Sequence, residues 1–145
     1  RNEHGKPYLT DKPEIYVNWS HSGDYVICAV ADREVGIDLQ YAGKEPKKSL
    51  VRKLLQPDEL HFYENIPESE RQRLFYEYWA VKESFLKAVG EGLRLSLDAF
   101  DTTGNMVSQD LREGRWYIKS WQLPEEALSV AVCGQEELDF SRLVW

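Results

Sequence analysis

A carboxylate at Glu83 and an ammonium at Lys87 stand four residues apart in the run Trp79-Ala80-Val81-Lys82-Glu83-Ser84-Phe85-Leu86-Lys87. On a helix that spacing puts both groups on one face, where they can address a single ligand phosphate from the same side. The implied chemistry is phosphate chemistry. Upstream, Val35-Gly36-Ile37-Asp38 ends a short apolar strand on a second carboxylate. Two carboxylates, completed by substrate phosphates and waters, are the usual way to hold Mg²⁺. Taken singly, each residue has a plainer reading. Asp38 would be a strand-ending or capping aspartate, and Glu83 a solvated helix residue paired with Lys87 for a few tenths of a kcal/mol.

The elements that must position these groups can be read from hydrophobic periodicity. Ile15 to Trp19, Tyr25 to Val30 and Val35 to Leu39 are β-rich runs, and the last two are expected to pair as an antiparallel hairpin. Ser49 opens an amphipathic helix with Leu50, Val51, Leu54 and Leu55 on one face. Pro57 suits the first turn of a second short helix, with Asp58 and Glu59 at its positive end. A long helix is expected from Ser69 to Val89, because Leu74, Phe75, Tyr78, Trp79, Phe85, Leu86 and Val89 recur at helical spacing; Gly90 fits the left-handed position that ends it. Strands at Ala99 to Thr102, Trp116 to Leu123 and Leu128 to Cys133 follow, with turns at Gly104-Asn105 and Pro124-Glu125-Glu126. Strands on both sides of a pair of helices predict an α+β fold, a mostly antiparallel sheet packed against a long helix.

Composition narrows the function classes. With 145 residues the chain is one domain's worth, and 42% hydrophobic content with five Trp, eight Tyr and five Phe argues for a folded globule. A net charge of -7 and a pI near 5.0 oppose non-specific nucleic-acid binding, which needs a basic footprint. No run approaches the roughly 18 apolar residues of a membrane helix. A cytoplasmic protein with neither nucleic acid nor membrane as partner is the default expectation. Cys28 and Cys133 lie in apolar strand-like runs without CxxC spacing and are expected to be buried free thiols. His4, His21 and His61 are widely spaced, which disfavours a zinc site or a Ser-His-Asp triad.

Four motifs occur in a recognisable order: Gly5-Lys6-Pro7, Trp19-Ser20-His21-Ser22-Gly23-Asp24, Val35-Gly36-Ile37-Asp38, and Trp79-x-x-Lys82-Glu83-Ser84-x-x-Lys87-x-x-Gly90-x-Gly92-Leu93. Together they resemble the 4′-phosphopantetheinyl transferases of the surfactin-synthetase-activating (Sfp) type. The order separates this branch from the short holo-acyl-carrier-protein synthases, in which the Gly-Ile-Asp motif comes first and the Ser-His motif last. By resemblance the chain is the C-terminal half of a pseudo-twofold enzyme: residues 1–14 form the extended linker between halves, residues 15–145 the C-terminal domain, and an N-terminal half of the same enzyme is an expected partner.

The resemblance also implies roles. Asp38 and Glu83 hold Mg²⁺ on the pyrophosphate of coenzyme A. Gln40 stands where many relatives carry a third acid, and an amide there acts weakly or through a water. Lys6 and Pro7 lie along the nucleotide, Ser20 and His21 meet the 3′-phosphate, and Lys87 meets the phosphates during transfer. Glu83 or Glu59 accepts the proton of the carrier-protein serine. Lys82 is expected beside coenzyme A, paired with a nearby acid that it fixes. The basic residues Lys44, Lys47, Lys48, Arg52 and Lys53, with Leu54 or Leu55 as apolar neighbours, form the expected docking patch for an acidic acyl or peptidyl carrier protein. The implied activity is Mg²⁺-dependent transfer of 4′-phosphopantetheine from coenzyme A to that serine. A half-module that binds coenzyme A or carrier without turnover is the alternative, and an unrelated metal-dependent phosphohydrolase leaves two of the motifs as coincidence.

Overall fold

A computed structural model describes residues 6–90, 95–104, 106–107, 109 and 113–135. In chain order the elements are β1 (Tyr16–Ser22), β2 (Tyr25–Ala31), β3 (Val35–Tyr41), α1 (Lys48–Leu54), α2 (Pro57–Asn65), α3 (Glu68–Val89), β4 (Tyr117–Leu123) and β5 (Leu128–Gly134). The α+β expectation holds. Among the described residues no helix is long and apolar enough to cross a membrane.

Strand pairing differs from the expected hairpin. Gly23, at φ 59°, and Asp24 make a two-residue turn that closes β1 onto β2, with Ser22 opposite Tyr25. β3 instead pairs antiparallel with β5, in a three-stranded sheet of order β3-β5-β4. Every residue of β5 is buried, so the central place falls to the most uniformly enclosed strand. β1 lies beside the open edge of β3 and satisfies it with side chains. Asn18 Oδ1 accepts from the Ile37 amide at 3.0 Å, and Ser22 Oγ accepts from the Tyr41 amide at 2.9 Å.

Alternation along β3 sorts its residues between two layers. Val35, Ile37 and Leu39 pack with β5 side chains toward the β1–β2 ribbon, against Ile27 and its neighbours. The opposite face, carrying Gly36 and Asp38, meets α3. Contact there is close because the residues are small: Ala80 and Ala131 share a cluster, and a Cβ on Gly36 would lie 2.0 Å from the Ser84 carbonyl oxygen. The N-terminal half of α3, at Phe75 and Tyr78, is covered by Val51, Leu54 and Leu55 at α1 and by Leu60 and Tyr63 of α2. Gly90 ends the helix at φ 74°, its amide donating to the Leu86 carbonyl.

Three further expectations are corrected. No strand forms over Ala99 to Thr102. The carbonyls of Leu97 and Phe100 accept from Lys82 and the Thr102 amide donates to Glu59, so side chains take up groups a strand neighbour would have used. Leu54 and Leu55 are core residues, unavailable to a docking partner. Cys28 is exposed, because alternation turns it to the outer face of the ribbon beside Trp19, while Cys133 is buried as expected. Gly5, Gly92, Leu93 and Asn105 lie outside the described residues.

Candidate active site

Close contact at Gly36 brings the C-terminal turns of α3 onto Asp38. Lys87 Nζ donates to Asp38 Oδ1 at 2.6 Å and to the Ile37 carbonyl at 3.3 Å. Ser20 Oγ, from β1, donates to the same Oδ1 at 2.7 Å, and Gln40 Nε2 donates to Oδ2 at 2.7 Å. Asp38 is almost fully buried beneath these donors. Glu83 completes the cluster. Its pKa is raised from the ordinary value, first by burial and then by the negative charge of Asp38; Lys87 and the Trp79 side chain act in the opposite sense. Trp79 was not among the expected site residues, although its position four residues before Glu83 places it on the same helix face.

Among the described residues the cluster therefore holds two carboxylates against one ammonium, and at Glu83 the charge of Asp38 adds to burial in raising the pKa. Asp38 and Glu83 are hard oxygen donors and Gln40 carries an amide oxygen on the same strand, so the donor set fits Mg²⁺ or a similar hard cation. Among the described residues no group of three or more His, Cys, Asp or Glu could hold a metal. A cation at this place would take its remaining ligands from the amide, water or a bound phosphate.

Two expected site residues belong to a different cluster. Lys82 and Glu59 form a fully buried ion pair at 2.8 Å. Lys82 Nζ also donates to the carbonyls of Leu97 and Phe100, each at 2.8 Å, and lies 4.9 Å from the centre of the Phe100 ring. Glu59 Oε1 accepts from the amide and the hydroxyl of Thr102 at 3.0 and 2.8 Å, and Oε2 accepts from the Gln56 amide at 2.9 Å in a capping box that starts α2. Lys82 is thus paired with Glu59, and neither partner faces the Asp38 cluster or solvent. Burial pulls the Lys82 pKa down and the contact with Glu59 pulls it back up.

The remaining expected residues are dispersed. Ser20 and His21 are adjacent on a strand and so point to opposite faces, Ser20 inward to Asp38 and His21 outward to solvent, opposite Val26. Lys6 is partly buried, bonded to Glu34 and, at 2.6 Å, to the Ala88 carbonyl near the end of α3; Pro7 beside it is half-buried. Of the basic patch, Lys48 and Arg52 line a groove of about 610 Å³ with Val51, Leu60, Tyr63 and Arg71, between α1, α2 and the start of α3.

Comparison with known proteins gives a consistent answer. A sequence model of the 4′-phosphopantetheinyl transferase superfamily matches residues 34–133, a span that includes Asp38, Glu59, Lys82, Glu83 and Lys87. A 4′-phosphopantetheinyl transferase and the 4′-phosphopantetheinyl transferase Sfp, both of Bacillus subtilis, are each 33% identical over 136 residues, which is 90% of this chain and 60% of theirs. The chain therefore spans about 60% of the length of these curated relatives. The 4′-phosphopantetheinyl transferase HetI of Nostoc is 36% identical over 94 residues, 61% of this chain and 40% of its own. Among solved structures, a holo-(acyl-carrier-protein) synthase from Bacillus anthracis in complex with coenzyme A superposes with a TM-score of 0.59 over 69% of this chain and 92% of that one, at 19% identity.

Proposed function

The chain belongs to the 4′-phosphopantetheinyl transferase superfamily, and from that premise we propose that it transfers 4′-phosphopantetheine from coenzyme A to a serine of an acyl or peptidyl carrier protein, releasing adenosine 3′,5′-bisphosphate. The observation that carries this reading is the convergence of Asp38, Glu83 and Lys87 where β3 and α3 touch over Gly36. In the reaction the serine oxygen forms a bond to the phosphorus on the pantetheine side, and the P–O bond within the pyrophosphate breaks. The bisphosphate leaves with the electron pair, and the serine proton passes to a carboxylate. Phosphoryl transfer of this kind asks mainly for positioning and charge stabilisation.

Each residue then has a task. Asp38 and Glu83, with Gln40 beside them, would hold Mg²⁺, which when bound neutralises charge on the pyrophosphate oxygens. Lys87, held against Asp38, stabilises charge at the bond being broken. Glu83 accepts the serine proton, directly or through a water. Glu59 is enclosed by donors, and we assign proton transfer to Glu83 alone. His21, exposed on the ribbon, meets the 3′-phosphate, Lys6 and Pro7 lie along the nucleotide, and Lys48 and Arg52 on α1 attract the acidic carrier.

A second reading is favoured by length. A chain spanning about 60% of its relatives could bind coenzyme A or carrier yet need an N-terminal half for turnover. One experiment separates the two. The protein is incubated with coenzyme A, Mg²⁺ and an apo carrier protein, and the carrier is weighed. Gain of a phosphopantetheine mass supports transfer by this chain alone. An unmodified carrier together with coenzyme A binding supports the half-module. Degradation of coenzyme A without labelling would mean a phosphohydrolase and overturn both.

A further inference from the structure

Both oxygens of Asp38 are covered, but by donors of different kinds. Oδ1 receives the Lys87 ammonium and the Ser20 hydroxyl, whereas Oδ2 receives, among the described residues, only the Gln40 amide, at 2.7 Å. The amide must present its nitrogen there, because its oxygen would face a carboxylate oxygen with no proton between them. An N–H aimed at Oδ2 occupies one of the two lone pairs of that oxygen, on the side where Gln40 stands, and a cation shared between Asp38 and Gln40 would enter on that side. A glutamate at position 40 could not play this part. It would set a further negative charge beside Asp38 and Glu83, a cluster in which negative charge already exceeds positive.

We propose that Gln40 is a cation place-holder, covering Asp38 Oδ2 with its amide N–H in the cation-free state and rotating to offer its carbonyl oxygen when a divalent cation binds. The inference rests on the proposed use of Asp38 and Glu83 as cation ligands and adds the residue that keeps that site ordered in the absence of the ion. Rotation is cheap in geometric terms, since the terminal torsion of glutamine is broad and close to two-fold. Gln40 is only half-buried, which leaves room for the turn, and its backbone is held in register opposite Ser129. The side chain therefore serves as donor in one state and acceptor in the other, with no change of protonation.

The test uses the ¹⁵N-labelled protein titrated with MgCl₂ alone, without coenzyme A. Two signals are followed: the Gln40 side-chain amide, identified by its loss in Gln40→Leu, and the indole N–H of Trp79, whose place four residues before Glu83 on the same helix face makes it an independent reporter of cation arrival. The expected result is that both move with one midpoint and that exchange of the Gln40 amide protons with water speeds up several-fold as the carboxylate bond is given up. Gln40→Glu should bind Mg²⁺ about tenfold more tightly and melt at a lower temperature in EDTA than the parent. If Trp79 responds while the Gln40 amide keeps its shift and exchange rate, Gln40 is only a prop for Asp38 and the place-holder is overturned. If neither signal responds, the cation site itself falls and the inference with it.

Discussion

Two charged clusters flank α3, departing from the adjacent residues Lys82 and Glu83, and they differ in how completely the chain answers its own charges. Around Lys82 one ammonium meets one carboxylate, its other protons reach two carbonyls, and Glu59 receives four donors. Around Glu83, among the described residues, two carboxylates share one ammonium, and burial together with the charge of Asp38 raises the Glu83 pKa. A saturated buried network is a structural joint; here it ties α2, α3 and the Leu97–Thr102 segment together. A cluster left with uncompensated charge is where an ion or substrate can gain binding energy by entering.

The largest effect should come from breaking the closed cluster. Lys82→Met leaves the Glu59 carboxylate buried without its cation and is expected to lose about 3–5 kcal/mol in urea unfolding. Adding Glu59→Leu should return part of that loss. A Lys82→Met protein as stable as the parent would mean that solvent reaches the pair, and the contrast between the clusters would collapse.

Opening the other cluster should do the reverse. Asp38→Ala is expected to reduce carrier modification by roughly 100-fold or more with the circular dichroism spectrum retained. Carrier labelling near the parental rate in limiting Mg²⁺ would remove Asp38 from the site. Gly36→Ala probes the contact that assembles it. With a Cβ directed at the Ser84 carbonyl, α3 must move off the sheet, and a loss of about 1–3 kcal/mol is expected. Activity should fall by more than the unfolded fraction explains, because Glu83 and Lys87 ride on the displaced helix.

The smallest effect is one of pH. The folded-state pKa of Glu83 is raised above its ordinary value of 4.5, so in EDTA the folded chain binds more protons than the unfolded chain between the two values. Stability contributed by this group is therefore present at low pH and declines as pH rises through that window. Glu83→Gln should flatten this part of the melting-temperature profile, and Mg²⁺ should offset the decline in the parent by favouring the ionised form. A profile unchanged by the substitution would place Glu83 in solvent.

Much of this molecule was legible from local rules. The start of α2 at Pro57, the extent of α3 and its end at Gly90 follow from propensity and capping, which act over a few residues. So does the shared helix face of Glu83 and Lys87, since it depends only on helical period. Even the opposite orientation of Ser20 and His21 was available from strand alternation. Long-range pairing was not. Whether β3 joins β2 or β5 depends on which partner encloses more apolar surface, a property of the whole sheet. The same holds for the fates of Lys82 and Glu83: a one-residue step turns a side chain by about 100° around a helix, and no local signal says which direction leads into the core. Sequence alone determined which residues can carry charge on α3, because residue type and helical spacing reside in the chain. Only the tertiary structure decided that Glu59 closes around Lys82 while Asp38, brought under α3 by the bare Gly36, leaves Glu83 in a cluster with negative charge to spare, because burial and electrostatic balance depend on groups far apart in sequence.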